Sequence, residues 1–577
     1  MSYVAPVRRL KFAAQTLGAP LSTTTDVLSS DDLEDVLRQA ARFAEERIAT
    51  LDQIGDRHGA KFSNNTVATP PGFVEAFKDW TESGWNGVTL PAHWGGMGLS
   101  TATGIATMEM WTSACMAYGV GVLLIHGAVE LLDEHATDHL KQQYLPKIVA
   151  GDWYATMALT EPQAGSDLGA LGTKAIPQDD GSYRLFGNKI FITFGEHDLT
   201  ENIVHLVLAR IEGAPVGTAG ISLFLVPKIL PNEDDSPGER NDVICTGIEH
   251  KMGLHASPTC SLTFGDKEGA KGWLVGQPNQ GLAAMFVMMN RARLGTGMQG
   301  VAIAERATQR AEAFADTRVQ GRVPTGERHL PISHHPDVQR MLKTMRALTS
   351  AGRSLGYGAA SVIETAANGT SEEERKIANA RTALLTPLVK AYCADIGVEV
   401  ASLGMQVHGG MGYVEETGAA QHFRDARITP IYEGTNGIQA IDLTLRKVRK
   451  DQGKVAYAEI EHYRAHAANA AQHAELAIAA RVLDQSLSAL SAATNFVTSP
   501  EASDVALLTS ATPYLRLFAQ TAAGAHLVLQ ALAAIVKLDA DDELRLALCA
   551  EADFYARNIM AHASALAAIV RDEVGAA

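Results

Sequence analysis

At 577 residues and 61.5 kDa, the chain is too long for a single hydrophobic core, and its length suggests about three to five packed units. A composition of 46% hydrophobic and 20% charged residues argues against extended disorder. The formal net charge of -16 argues against a nucleic-acid partner, which requires a lysine and arginine footprint.

Residues 1–29 read as an N-terminal extension. Its start, MSYVAPVRRLKFAAQTLG, has two arginines but no long apolar run and no small-residue cleavage site, so no export signal is expected. The opening of YVAPVRRLKF reads as a short strand-like lead. From Ser29, SSDDLEDVLRQAARFAEERIATL starts with capping serines and acids. It then places Leu33, Val36, Leu37, Ala40, Ala44 and Ile48 at helical spacing. Helical patterning continues through PGFVEAFKDW and Thr101 to Ala150, broken by the turn HWGGMGLS, so residues 30–150 are expected to be a helical domain.

The texture changes over 151–278. WYATMALT, YRLFGNKIFIT, IVHLVLARI, ISLFLVPKIL and CSLTF are short β-branched or aromatic runs between turn residues, which predicts a β domain. Its PNEDDSPGERND stretch reads as a solvated loop. Helical periodicity returns over 279–450, with VQGRVPTGERHLPISHHPD as a proline-bearing loop between long helices. Residues 455–577 are alanine- and leucine-rich, with capping breaks at Ser499-Pro500 and Asp539 to Asp542, and read as a further helical domain. Its 14 acids against 7 bases make it a poor nucleic-acid surface.

Cys115, Cys245, Cys260, Cys393 and Cys549 include no CxxC pair, so neither a zinc site nor a disulfide framework is expected, and a reducing, cytoplasmic compartment fits. His462, His466 and His473 read as surface or packing residues, and no metal is expected. The longest apolar stretches, such as Gly281 to Met289, fall short of the ~20 residues that span a bilayer, so no membrane span is expected.

Several stretches carry residue types suited to chemistry. MALTEPQAGSDLGALGTKA leaves a strand and enters a loop of small and hydroxyl residues, whose backbone N–H groups can approach a ligand closely; the same composition also makes an ordinary turn. In QVHGGMGYVEETGAAQHFRDARITPIYEGTNGIQA, an acid, Glu433, lies between an aromatic residue and a glycine, which suits a partly buried carboxylate.

LTEPQAGSD, GNKIFIT, NRARLGTGMQGVAIAERA, DTRVQGR, QVHGG and IYEGTNGIQ occur in the order found in acyl-CoA dehydrogenases, and residues 30–450 resemble that family. The resemblance implies an α+β multidomain fold: an N-terminal helical domain, a middle β domain and a C-terminal four-helix bundle, here with an additional C-terminal helical domain. It implies FAD as cofactor, contacted by Met157, Leu159, Thr160, Gly165 and Ser166, by Phe191 and Thr193 against the isoalloxazine ring, and by Thr435 and Asn436. It further implies that Arg318, Gln320, Gln406, Gly409 and Gly410 reach the FAD of a neighbouring subunit, hence at least a homodimer.

Ser166, Arg293, Tyr432 and Gly434 would bind the acyl-CoA substrate, and Glu433 would be the catalytic base. Its backbone N–H, with a ribityl hydroxyl, would bond the thioester oxygen, and an electron-transferring flavoprotein would accept the electrons. Family members often have tryptophan at Phe191, and serine and glutamate at Asn436 and Gly437.

GEHDLTENIVHLVLAR, EHKMGLHASPTC and YEGTNGIQA resemble the long bacterial branch that acts on 3-(methylthio)propionyl-CoA in dimethylsulfoniopropionate breakdown. The expected reaction is therefore α,β-dehydrogenation to the trans-2-enoyl-CoA. The alternatives are a short-, medium- or long-chain fatty acyl-CoA dehydrogenase, an acyl-CoA oxidase, and a DNA-binding flavoprotein of this fold.

Overall fold

The computed structural model describes residues 3–18, 28–232, 234, 236–324, 326 and 329–572; parts of the N-terminal extension and of the two long loops therefore lie outside the described residues. The chain divides into two compact units: Met1–Arg42 with Ser100–Ser113 and Arg293–Ala577, and Phe43–Leu99 with Ala114–Ala292.

In the second unit, strand Lys174–Pro177 pairs with both Tyr183–Thr193 and Asn202–Ile211. Asn202–Ile211 leads through Ile221–Pro227 and Ala270–Val275 back to Tyr183–Thr193, so the strands close into a ring that leaves few free edges. Trp153–Ala158 joins Asn202–Ile211 in parallel, and Thr259–Phe264 followed by Val243–Ile248 extends the sheet from the far end of Tyr183–Thr193. Thr259–Phe264 shows why this sequence is a strand: Cys260, Leu262 and Phe264 alternate into a core shared with Leu185, Val207, Phe224 and Val226.

Two expectations change in this unit. Residues 30–150 are not wholly helical, because Lys61–Ser63 and Thr66–Ala68 form a hairpin. Asn64 and Asn65 turn it at φ 50° and 61°, the left-handed pair that matches strand twist. PNEDDSPGERND is not only a loop, since Ile229–Pro231 pairs with Pro237–Arg240.

The first unit is helical. Pro336–Asn368 has proline in its first turn, where no N–H is needed. Glu372–His408 is capped by the Ser371 hydroxyl and begins with three glutamates. Gly281–Thr317, which enters this unit at Arg293, packs closely on Glu372–His408: a Cβ on Gly300 would lie 2.0 Å from the Cys393 carbonyl oxygen. The buried Arg353 binds Glu109 and Glu305, each at 2.8 Å, so the charges inside this bundle are paired.

Beyond Lys450, helices Lys454–Ala470, Ala477–Thr498, Asp504–Lys537, Glu543–Asn558 and Ala563–Asp572 complete the unit. Ser503 and Asp542 cap two of them. The N-terminal lead is not strand-like: Val7–Thr16 is an amphipathic helix that buries Leu10, Phe12, Ala13 and Ala14.

The expectation that no stretch is long and apolar enough to span a bilayer also changes. Met116–His135 and Asp504–Lys537 reach that length and composition, and most of each is buried in the structure. Neither is an uninterrupted apolar run, because glycine and polar residues break the pattern.

Candidate active site

In the helical unit, the sequence around Glu433 folds into a tight turn. Tyr432 N–H donates to the Ile428 carbonyl at 3.2 Å, and Asn436 N–H donates to the Pro430 carbonyl at 2.9 Å. Between these bonds Glu433 has φ +57° and Gly434 φ +84°. A left-handed residue other than glycine costs about 1–2 kcal/mol, so its surroundings must hold it there. The φ of +84° favours glycine at 434, where a Cβ would also push on the Gln439 side-chain amide 2.6 Å away. Thr435 accepts from Ile438 N at 3.2 Å and starts the helix Asn436–Ile441.

Glu433 is half-buried, and among the described residues neither its carboxylate nor its backbone N–H has a hydrogen-bond partner. Burial pushes its carboxyl above the ordinary carboxylate range, while the positive charges of Arg293 and Lys390 pull it back. Arg293 is buried beside Asp442 and Glu433. Tyr432 donates its hydroxyl proton to Gln299 Oε1 and so ties the turn to helix Gly281–Thr317.

A half-buried carboxylate with no hydrogen bond, flanked by cations and next to an uncommitted N–H, can accept a proton while that N–H stabilises negative charge developing nearby. The Asn436 side chain is committed to helix Glu372–His408 through Lys390, Ala391 and Asp395.

Farther along the same unit, Phe314 stacks on His408 with ring centroids 4.4 Å apart, bringing the ends of two helices together. The exposed Arg318, Gln320, Gly409 and Gly410 follow these ends, and the exposed Gln406 lies in the last turn of Glu372–His408. Arg318 Nη2 lies 3.5 Å from Gln320 Oε1, and nothing stands within 4 Å of a Cβ on Gly409 or Gly410. Gln299, which holds Tyr432, is fifteen residues before Phe314 on one continuous helix, or about 22 Å along its axis. Arg318 and the Gly409–Gly410 loop therefore do not adjoin the Glu433 turn within one copy.

In the other unit, Met157 is buried near the end of strand Trp153–Ala158, Leu159 and Thr160 are half-buried, and Gly165 and Ser166 are exposed with open space around Gly165. Glu161 organises this loop. Its carboxylate accepts from Gln163 Nε2, Gly172 N, Thr173 N, Thr173 Oγ1 and Lys189 Nζ at 2.5 to 3.0 Å. Ile190 N–H donates to the Thr160 carbonyl at 2.9 Å and fastens the loop to Tyr183–Thr193. On that strand Phe191 has φ +60° and is 57% exposed, and Thr193 is two residues further on.

A large apolar ring held in solvent by a left-handed backbone is an unpartnered stacking surface. Gln299, Lys390, Asp395, Glu161 and Lys189 join these sites without having stood out in the sequence. Lys390 alone left a trace, as the single charge in LLTPLVKAYC.

Four family models match the chain. These are the acyl-CoA dehydrogenase N-terminal domain over residues 30–152, middle domain over 156–267 and C-terminal domain over 279–447, and the acetyl-CoA dehydrogenase C-terminal-like domain over 457–576. The chain is 44% identical to 3-methylmercaptopropionyl-CoA dehydrogenase of Ruegeria pomeroyi, over 98% of this chain and 97% of that protein.

Among solved structures, it resembles Caenorhabditis elegans ACDH-11 in complex with C11-CoA, with TM-score 0.80 and 19% identity over 96% of this chain and 91% of that one. It also resembles an acyl-CoA dehydrogenase from Bacillus anthracis complexed with FAD, with TM-score 0.77 and 23% identity over 95% and 89%.

Proposed function

This chain belongs to the acyl-CoA dehydrogenase family, and from that premise we propose that Glu433 is its catalytic base and 3-(methylthio)propionyl-CoA its substrate. The observation that carries the base assignment is a half-buried carboxylate in a left-handed turn, with no hydrogen bond of its own among the described residues and with Arg293 and Lys390 acting on it.

An acyl thioester gives up its α-proton only if the base is shielded from water and the enolate oxygen is stabilised as it forms. Burial raises the proton affinity of Glu433, and its uncommitted N–H is the donor for the thioester oxygen. Ser166, Arg293, Tyr432 and Gly434 serve substrate binding in this reading. The sulfur-containing substrate rests on the near full-length similarity to the Ruegeria pomeroyi enzyme, with butyryl-CoA and longer acyl-CoAs as competitors.

The family is FAD-dependent, and this chain's residues fit the cofactor. The Phe191 ring is exposed for stacking, Gly165, Gly409 and Gly410 leave open space for close backbone approach, and Arg318 is an exposed guanidinium suited to pyrophosphate. Met157, Leu159, Thr160, Thr193, Gln320, Gln406, Thr435 and Asn436 complete the proposed set, with the Asn436 side chain and N–H both engaged within the protein. When bound, FAD supplies the acceptor for the hydride leaving the β carbon.

The separation of Gln299 from Phe314, about 22 Å along one helix, supports assigning Arg318, Gln320, Gln406, Gly409 and Gly410 to the cofactor of a second copy, hence a homodimer at least. An electron-transferring flavoprotein as acceptor and a cytoplasmic location belong to the same proposal, the latter supported by the five free thiols.

Anaerobic mixing of the FAD-loaded protein with 3-(methylthio)propionyl-, butyryl- and octanoyl-CoA tests the reading. The flavin absorbance is expected to bleach fastest with the first, and Glu433→Gln to slow bleaching by about 10²- to 10⁴-fold or more. An unchanged rate in that variant would refute the base, and a preference for another thioester would refute the substrate.

A further inference from the structure

Lys390 is fully buried in helix Glu372–His408, where an ammonium persists only with partners. Its Nζ donates to Asn436 Oδ1 at 3.0 Å, while Asn436 Nδ2 donates to Asp395 Oδ1 at 2.7 Å and to the Ala391 carbonyl at 3.0 Å. The Asn436 N–H closes the turn onto the Pro430 carbonyl. Asn436 thus joins one side of a long helix to the turn with Glu433 at its centre. Among the described residues no hydrogen bond to the Glu433 side chain fixes that turn, so its left-handed geometry is set by its two ends, with Tyr432 on Gln299 and Asn436 on Lys390, Ala391 and Asp395.

The charges around this cluster come from several elements, and Asp395 is also faced by Arg516 of helix Asp504–Lys537 and by Glu399. Glu433 is faced by Arg293 from helix Gly281–Thr317 and by Lys390, and Lys390 is faced by Glu433, Asp395 and Arg293. Arg293 in turn is faced by Asp442 and Arg446 beyond the turn. Burial draws Lys390 down to about 8, so it is still largely charged at neutral pH.

We propose that Lys390 is a positioning residue for the base: through Asn436 and Asp395 it fixes the turn that carries Glu433, and its buried charge favours the ionised carboxylate. The inference rests on the reading of Glu433 as the base. Removing the lysine charge leaves Arg293 alone to oppose burial, so Glu433 holds its proton to higher pH.

The test is single-turnover flavin reduction in the FAD-loaded protein, with 3-(methylthio)propionyl-CoA, from about pH 5 to 9. Lys390→Met is expected to keep the bound-flavin spectrum and the substrate Kd within about twofold, to lower the limiting rate about tenfold, and to move the acid-limb midpoint up by about one pH unit. Lys390→Arg is expected to keep the parent midpoint. A Lys390→Met profile that overlays the parent, or a Lys390→Arg midpoint displaced as far as that of Lys390→Met, overturns the proposal.

If Lys390→Met does not retain FAD, Asn436→Ala decides: a rate about tenfold lower with an intact flavin spectrum supports the clamp, and an undiminished rate overturns it. Glu433→Gln in the same assay separates the two claims. An undiminished rate there removes the base and this inference together, whereas a collapsed rate beside an unshifted Lys390→Met profile removes the inference alone.

Discussion

Glu161→Ala would leave the Lys189 ammonium buried without its carboxylate and remove the acceptor for five hydrogen bonds in the Thr160–Thr173 loop. The two side chains are 4% and 0% exposed, so water cannot replace the lost partner. Breaking a buried pair from one side costs about 3–5 kcal/mol. In a cooperative unit of roughly 240 residues each kcal/mol moves Tm by about 2–4 °C, so a fall of about 6–20 °C is expected.

Glu161→Gln combined with Lys189→Met removes the stranded charge. It is expected to melt higher than the summed single changes predict, by a coupling of about 2 kcal/mol or more. Burial pushes the Glu161 carboxyl up, but Lys189, Thr173 and the Gly172 N–H overcome this and hold it at about 2. Because the folded value is depressed, the stabilisation is present above about 4.5 and is lost as pH falls towards about 2. Circular dichroism melts of FAD-loaded and FAD-free protein, with flavin fluorescence reporting release, measure these effects. A single variant within about 2 °C of the parent, or strictly additive double-variant melts, would refute the assignment of Glu161 as the organiser of this loop.

Two further changes test the helical unit. Gly300→Ala places a methyl group 2.0 Å from the Cys393 carbonyl oxygen, where backbone must move, so a loss of about 1–3 kcal/mol is expected in denaturant unfolding. Arg318→Ala removes an exposed guanidinium whose side-chain contact is a long 3.5 Å bond to Gln320, so Tm of the FAD-free protein should stay within about 1 °C of the parent. FAD affinity measured by titration should nevertheless fall about tenfold; equal affinity would take Arg318 out of the cofactor site.

The Glu433 segment was legible through its resemblance to the family, and its constraints are local: a carboxylate, a glycine at positive φ and a threonine that caps the next helix are three consecutive residues. The loop after strand Trp153–Ala158 and Phe191 were singled out by the same resemblance, since their residue types alone read as an ordinary turn and a half-buried strand. The hairpin at Asn64-Asn65 carried a turn signal that was overlooked, and the Val7–Thr16 helix was hidden by its β-branched lead.

Period, capping and turn chemistry, which act over a few residues, let the sequence by itself determine the order of helical and β regions, while Glu433 stood out through the resemblance of IYEGTNGIQ to the family's catalytic segment. Only the tertiary structure decided what surrounds that carboxylate. Lys390 is forty-three residues from Glu433 in the chain and Arg293 is one hundred and forty, and helix packing around Gly300 brings their elements together. A proton affinity depends on distances and on excluded water, both of which arise when separate elements pack, so it has no pattern along the sequence.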